Sequence, residues 1–347
     1  TRADHLIEER IKGAKAEGKT LAELETLIQT NRLTCPNCGA FDWTKPREFN
    51  LLFETHIGIV PESQSKAYLR GETAQGMFVD FKQVVDTMRP TLPFGIAQSG
   101  KAFRNEVTKG KFTFRTLEFD LAELEYFIRE SEWEKWFEFW KEEVERWATD
   151  LGIEKKKLRW RAHGKEELSH YSLRTEDLEY EYPFGFKEWC AVAYRTDYDL
   201  KNHMQHSGAD LRYKDPTSGE LFIPHVIEPT FGLSRSIVTL LVDGFHKEKY
   251  RVNLRLHPRL APIKVAVFPL LRNKENIVAK ARSVFDHLKK NQATVWDDRG
   301  NIGKRYYSQD EIGTPYCVTI DFKTLDDDTV TVRDRNSMQQ ERIAIGK

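Results

Sequence analysis

Apolar residues return every three or four positions in some stretches of this chain and every second position in others, and the two periods mark out helices and strands. Residues 1–34 carry Leu and Ile at helical spacing broken near Gly18-Lys19-Thr20, which predicts two short helices. Met77 to Met88 is a second periodic run, ended by Arg89-Pro90 and preceded by a polar cluster in which Thr73 is the expected cap. From Trp133 to Leu151 the positions Trp133, Trp136, Phe137, Trp140, Val144, Trp147 and Leu151 fall on one face of a long helix. Base-stacking aromatics need exposure, so this periodicity makes the Trp stripe core.

Alternation supplies the strands. Phe49 to Val60 alternates imperfectly, as a strand and its turn. Phe94 to Tyr126 holds two alternating segments joined by the basic link Thr108-Lys109-Gly110-Lys111, which predicts an antiparallel pair with a loop at its tip. Because strand side chains alternate faces, Arg104 and Glu106 share one face of the first segment, while Arg115, Leu117, Phe119, Leu121, Glu123 and Glu125 share one face of the second. The basic run Lys155 to Arg161 reads as a solvated strand edge. Glu188 to Leu200 reads as a strand ending in a surface ion-pair cluster with Arg195, Asp197 and Asp199. Phe222 to Phe245 reads as a strand, a Pro-Thr-Phe-Gly turn and an apolar helix opening near Ser234-Arg235. Beyond Leu260-Ala-Pro-Ile-Lys, strands at 264–269, 293–297, 316–322 and 329–333 alternate with helices at 274–291 and near 303–307, the pattern of a small α/β domain.

At 347 residues there is room for two to three domains. The 39% apolar and 31% charged content describes a soluble globular chain, and no stretch approaches the roughly 20 apolar residues that span a bilayer. Because 54 basic and 54 acidic residues cancel, any polyanion site must be local. Four cysteines without an export signal point to a reducing compartment, the cytoplasm.

Three patterns carry candidate chemistry. Cys35-Pro-Asn-Cys38-Gly39 has the shape of one zinc knuckle, but Cys190 and Cys317 lie far off without a second CxxC, which leaves a half zinc site or a reduced thiol pair. His163 and His170, seven residues apart, do not make a metal pair. An Arg in the first turn of a helix opposes the macrodipole, so Arg235 makes sense where it reaches an anion. The arginines, Phe and carboxylates of the 94–126 hairpin suit a nucleotide, because Arg forks onto phosphate oxygens while a ring stacks on a purine. The plain alternative is an amphipathic hairpin with a solvated charged face.

FRNE followed by Arg115 and Phe119 resembles motif 2 of the class II aminoacyl-tRNA synthetases. With CPNCG, YLRGETAQG, LPFGIAQSGKAFRNE, RTLEF, AELEYF, AYRTDYDL, VIEPTFGLSR, LAPIKVAVFPL, DEIGTPYCVTIDF and TVTVRDR in order, residues from about 35 to 347 resemble the glycyl-tRNA synthetases of the homodimeric class II type. The resemblance implies an α+β fold: a six-stranded antiparallel sheet flanked by helices, then a small α/β anticodon-binding domain. It divides the chain into an N-terminal helical segment with a partial zinc ribbon (1–48), a catalytic domain (49–260) with an insertion at about 131–182, and an anticodon-binding domain (261–347). It also implies glycine–tRNA ligase activity in a homodimer using ATP, Mg²⁺, glycine and tRNA(Gly), away from any membrane. The alternative is a non-catalytic, nucleic-acid-binding subunit of synthetase type, against which the retained Arg104, Arg115 and Arg235 count.

The implied roles fall on this sequence residue by residue. Arg104 would hold the α-phosphate and the amino-acid carboxylate, Glu106 the adenine amino group, Arg115 the γ-phosphate, and Phe119 would stack on adenine. Arg235 would complete the clamp on bent ATP, and Glu228 would help hold Mg²⁺. Glycine would meet Glu72 and Glu123 at its ammonium group, Arg195 on its carboxylate side, and Thr230. The family usually has Pro, Arg, Ser and Gly where Gly71, Leu117, Thr230 and Ala191 stand here. The resemblance places motif 1 and a partner CxxC before residue 1, and a last helix after residue 347.

Overall fold

The computed structural model describes residues 3–14, 16, 19–60, 63–106 and 112–346. The chain divides into two compact units, one of residues 1–144, 159–180 and 186–236, the other of 145–158, 181–185 and 237–347. No helix among the described residues is long and apolar enough to cross a membrane.

The amphipathic N-terminus forms α1 (Ala3–Arg10) and α2 (Leu21–Thr30). A capping box of Thr20 and Glu23 starts α2, and Leu6, Ile7, Leu24, Ile28 and Leu33 bury against one another. β1 (Glu54–Ile57) pairs antiparallel with β2 (Ser65–Tyr68). α3 (Ala74–Met88) buries Ala74, Met77, Phe78 and Phe81, three of which pack with Phe127, Leu200 and Val226. β3 (Phe94–Phe103) and β4 (Glu118–Ile128) form the expected antiparallel pair, in register from Phe94↔Phe127 to Phe103↔Glu118. The expected tip at Thr108–Lys111 lies outside the described residues. The regular strands stop earlier than the alternation implies, and residues 112–117 are irregular, mostly turn and bend. Arg115 and Leu117 are therefore loop residues and do not continue the strand face of Phe119.

Next come α4 (Trp133–Asp150), β5 (Leu158–Ala162), β6 (Arg174–Tyr182), β7 (Gly185–Thr196) and α5 (Tyr198–Ser207). They are followed by the short β8 (Tyr213–Lys214) and β9 (Leu221–Phe222), then β10 (His225–Gly232) and α6 (Leu233–Gly244). Six strands make one sheet in the order β3-β4-β10-β7-β6-β5, with β3–β4, β4–β10 and β10–β7 antiparallel. β5 is the edge strand that its basic run predicts, with Arg159 on Glu179 and Arg161 on Asp177. Two expectations are corrected. Pro229-Thr230-Phe231-Gly232 is not a turn, because β10 keeps its register with β7 through Phe231 and runs straight into α6. The Trp stripe is only half-buried: Phe137, Val144 and Ala148 form the buried seam, while Trp133 stacks on Tyr194 at 4.6 Å and Trp136 and Trp140 meet Tyr126 edge-on at 5.3 Å.

In the second unit, β11 (Phe245–Lys247) and β12 (Val252–Leu254) form a hairpin. β13 (Val265–Pro269), α7 (Glu275–Leu288), β14 (Thr294–Trp296), α8 (Ile302–Ile312), β15 (Tyr316–Ile320), α9 (Phe322–Asp327), β16 (Thr329–Asp334) and β17 (Gln340–Ala344) follow. Their five-stranded sheet has the order β14-β13-β15-β16-β17, with β13 parallel to β14 and β15 and the remaining pairs antiparallel. All five residues of β13 are buried, as its continuous apolar run requires of a strand covered on both faces. Val265, Val267, Phe285 and Ile320 pack on one side, and Ala266, Phe268, Tyr306 and Cys317 on the other.

Candidate active site

Cross-strand partners share a sheet face, and the register here assembles the site. Gln98 pairs with Glu123, Glu123 with Thr230, and Thr230 with Ala191, one row across β3, β4, β10 and β7. Two-residue steps put Glu125, Glu228, Ala193 and Arg195 on the same face. Thr230 and Ala191, each a methyl larger than the family's usual residue, are thus direct neighbours beside Glu123.

The start of α3 closes over this face. Thr73 makes no side-chain capping bond, contrary to expectation, because Glu123 claims its donors. The Thr73 amide and hydroxyl donate to Glu123 Oε2 at 2.6 and 2.5 Å, which sets the carboxylate at the positive end of the helix. Arg195 is also placed differently from its expected surface cluster, being only 1% exposed. Its Nε and Nη2 donate to Asp199 at 2.8 and 2.9 Å and its Nη1 to Glu228 at 2.9 Å, while Glu72 stands 3.7 Å from Nη2. The Tyr171 ring covers the guanidinium at 3.9 Å. Arg195 thereby organises carboxylates and has most of its donors committed to them.

The electrostatic balance is acidic. Glu72, Glu123, Glu125, Asp199 and Glu228 surround one arginine. Burial pushes Glu123 above the ordinary carboxylate range despite the bonds from Thr73. Burial, reinforced by the charge of Glu228, raises Glu125 well above that range, and both Glu125 oxygens are buried without a hydrogen-bond partner among the described residues. Burial pushes Glu228 up to about 7, with Glu123 and Glu72 acting the same way and Arg195 opposing them. For Arg195, burial works against the charge, but Glu228, Asp199 and Glu125 outweigh it and keep the guanidinium protonated. Such a site is short of positive charge, which an entering cation would supply.

Glu72, Arg104, Tyr171 and Arg195 line a cavity of ≈1140 Å³ on this face. Arg104 is oriented by the Gly71 carbonyl, which accepts from its Nε at 3.1 Å, and its guanidinium lies 5.6 Å from the centre of the Phe119 ring. The acceptor is a backbone oxygen, so Gly in place of Pro at position 71 does not remove it. Glu106 and Arg115 face each other at 3.9 Å. Arg235 donates from Nη1 to the Glu188 carboxylate at 2.9 Å and lies over Phe114 at 4.9 Å. Thr113 donates to the Ser234 carbonyl at 2.9 Å and the Ser234 hydroxyl accepts from the Asp120 amide at 2.9 Å, so the loop after β3 is fastened to the start of α6. Glu72, Glu123, Arg195 and Glu228 thus gather at one end, while Arg104 joins Phe119 and Glu106 joins Arg115.

Sequence reasoning put Glu125 on the face of Glu123 without giving it a role, and missed Gln75, Tyr171 and Asp199 as members of this cluster. Asp199 was detectable as the residue four after Arg195, but Tyr171 sits in an insertion without periodicity.

The expected metal positions do not build complete sites. Glu228 is buried against Arg195, and no group of three or more candidate metal ligands stands together among the described residues. Cys35 and Cys38 offer half a knuckle: the Cys38 and Asn37 amides, with the Cys38 thiol, hold the Cys35 thiol below its usual range, as a thiolate ligand needs. Two thiols do not complete a tetrahedron. Cys190 and Cys317 are buried and free, and burial raises both thiols, Cys317 to about 12.

The β3–β4 hairpin followed by Arg104, the helix opened by Arg235 directly after β10 and, in the second unit, a mixed α/β domain are the features that the resemblance to a class II aminoacyl-tRNA synthetase implies. The comparisons agree. The family described as "Anticodon binding domain" matches residues 264–347. The prolyl-tRNA synthetase of Giardia lamblia, solved with prolyl-adenylate, shares the fold with a TM-score of 0.67 at 17% identity, over 85% of this chain and 60% of that one. The glycine–tRNA ligases of Caldanaerobacter subterraneus subsp. tengcongensis and Geobacillus thermodenitrificans are each 48% identical, over 99% and 100% of this chain and 76% of their own length. That of Clostridium acetobutylicum is 47% identical over 99% of this chain and 74% of its own. The chain belongs to the glycine–tRNA ligase family.

Proposed function

We propose that this protein activates glycine with ATP and passes the glycyl group to the 3′-terminal ribose of tRNA(Gly). The observation that carries this is the surplus of carboxylates around Arg195, open through Glu72 to the cavity that Arg104 also lines. Glycine has no side chain to grip, so selection rests on its charged ends and on the lack of room for a methyl. One methylene by itself discriminates by only ~1–3 kcal/mol. Glu72 and Glu123 receive the ammonium, Thr230 narrows the pocket, and Arg195 keeps the carboxylates in place. The glycine carboxylate, ionised near neutrality, attacks the α-phosphorus. An O–P bond forms, the bond to pyrophosphate breaks, and no proton need move. Arg104 aligns the α-phosphate, Arg115 and Arg235 meet the outer phosphates, Phe119 stacks on adenine and Glu106 accepts from its amino group. Mg²⁺ would be held chiefly through the substrate phosphates, with Glu228 the carboxylate expected to help, and would supply charge neutralisation there. The ribose hydroxyl then attacks the glycyl carbonyl and AMP leaves.

The second unit, with its anticodon-binding domain, grips the tRNA. A second copy of the chain covers apolar surface at and around the β1–β2 hairpin, where Leu51, Ile57, Ile59 and Val60 are exposed. The protein works in the cytoplasm, and zinc binds at Cys35 and Cys38 where two further ligands are supplied.

Exchange of pyrophosphate into ATP, measured with glycine, alanine and serine in turn, tests the central claim. Glycine alone is expected to support it; no exchange in a folded sample would replace this reading with a nucleic-acid-binding subunit. The pH profile gives a second expected result. As pH falls through about 7, Glu228 gains a proton and the site loses negative charge facing the ammonium. The KM for glycine therefore rises between about pH 8 and about pH 6 while the KM for ATP changes little. A flat glycine profile would show that Glu228 does not act on the ammonium.

A further inference from the structure

We infer that Gln75 is the positioning residue of the amino-acid end of the site, joining the Glu72 carboxylate to that of Asp199 through one neutral amide; this rests on the glycine reading above. Gln75 lies in the first turn of α3, three residues after Glu72. Its Nε2 donates to Glu72 Oε1 at 3.1 Å and to Asp199 Oδ1 at 3.0 Å. Both hydrogens of the amide are thereby used, and its orientation is settled, since the flipped amide would turn its oxygen toward two carboxylates. Gln75 Oε1 then faces His203 Nε2 at 2.9 Å. A carbonyl oxygen only accepts, so His203 carries its proton on Nε2 and donates to Gln75. Asp199 and His203 are four apart on α5 and present one face of that helix to Gln75.

The consequence reaches the whole carboxylate cluster. Asp199 holds Arg195 by two hydrogen bonds, so the chain His203, Gln75, Asp199, Arg195 ties Glu72 to the guanidinium that organises Glu228. The chemical type at position 75 matters as much as its place. A Lys would also hold two carboxylates, but it would bring the positive charge that the substrate ammonium is meant to supply. A neutral donor fixes Glu72 and leaves its charge for the ligand. His203 acts one step further back, by fixing the amide.

The test is steady-state glycine-dependent pyrophosphate exchange on the full chain, with thermal melting of each variant. Gln75→Leu is expected to raise the KM for glycine roughly ten-fold, as loss of hydrogen bonds to charged groups implies. The KM for ATP, kcat and the melting temperature are expected to stay near the parent values. His203→Phe raises the glycine KM less, and His203→Gln, which restores a donor at similar reach, returns it toward the parent. The double variant Gln75→Leu/His203→Phe is expected to be no worse than Gln75→Leu, because His203 works through Gln75. An unchanged glycine KM in Gln75→Leu, equal losses toward glycine and ATP, or additive effects in the double variant would each overturn the inference. If Gln75→Leu fails to fold, the contrast of His203→Phe with His203→Gln decides in the same way. A parent protein without glycine-dependent exchange would instead refute the proposed function.

Discussion

Replacing Arg104 by Ala is expected to lower glycine-dependent pyrophosphate exchange by roughly 10²–10³-fold, the usual cost of removing one preorganised donor to developing charge. The side chain starts just beyond β3, where the Arg104 amide still bonds the Leu117 carbonyl at 3.0 Å, so the backbone is held independently of the guanidinium. What the substitution removes is the charged fork that Gly71 aims from one side and Phe119 borders on another. Arg104 is only half-buried and makes no ion pair to a carboxylate among the described residues, so no buried charge is stranded by its loss and the fold should survive. Melting within a few degrees of the parent, with exchange lost, is the expected pair of results. Near-normal exchange would remove Arg104 from the phosphate site. Arg104→Lys separates the two parts of the effect, because it keeps the charge but not the planar fork.

How far such a site is legible in a sequence depends on the distance over which its interactions act. The period of apolar residues placed β3, β4, α4 and β13 because that signal is local, and it did so even where burial is partial, as on β3 and along the Trp face of α4. α9 and β17 escaped it, one being a six-residue helix and the other the polar strand Gln340–Ala344. The two carboxylates on β4 share a face by strand geometry alone. Arg195 and Asp199 looked like a surface pair, since a buried and an exposed pair at four-residue spacing are written identically; only the coverage by Tyr171 and Phe78 distinguishes them. Thr73 shows the same limit from the other side. A hydroxyl before a helix ordinarily caps it, but Glu123, fifty residues away, takes both donors. Pro229 and Gly232 are turn residues by composition, while the register with β7 shows a strand.

Asp310→Ala is expected to destabilise the second unit by about 3–5 kcal/mol, the range for leaving a buried charge without its partner. Asp310 is fully buried on α8 and accepts from Arg333 Nη1 and Nη2 at 2.8 and 3.0 Å and from Arg251 Nη1 at 2.7 Å. One carboxylate thus answers two buried guanidinium groups, on β16 and just before β12. Arg251 retains Glu248, whose own acidity is increased chiefly by that arginine, but among the described residues Arg333 has only the Tyr306 ring at 4.9 Å to fall back on. Arg333 is therefore the group whose burial becomes unsupported. Replacing both, as Asp310→Leu with Arg333→Met, is expected to recover much of the loss, because a matched apolar pair carries no desolvation cost. Hydrogen exchange at the β15 and β16 amides measures the effect where it arises. Unchanged protection there in Asp310→Ala would refute the account. Under conditions where the variant remains folded, glycine-dependent pyrophosphate exchange should persist, since the groups assigned to adenylate formation all belong to the first unit, while charging of tRNA should fall with the stability of the second.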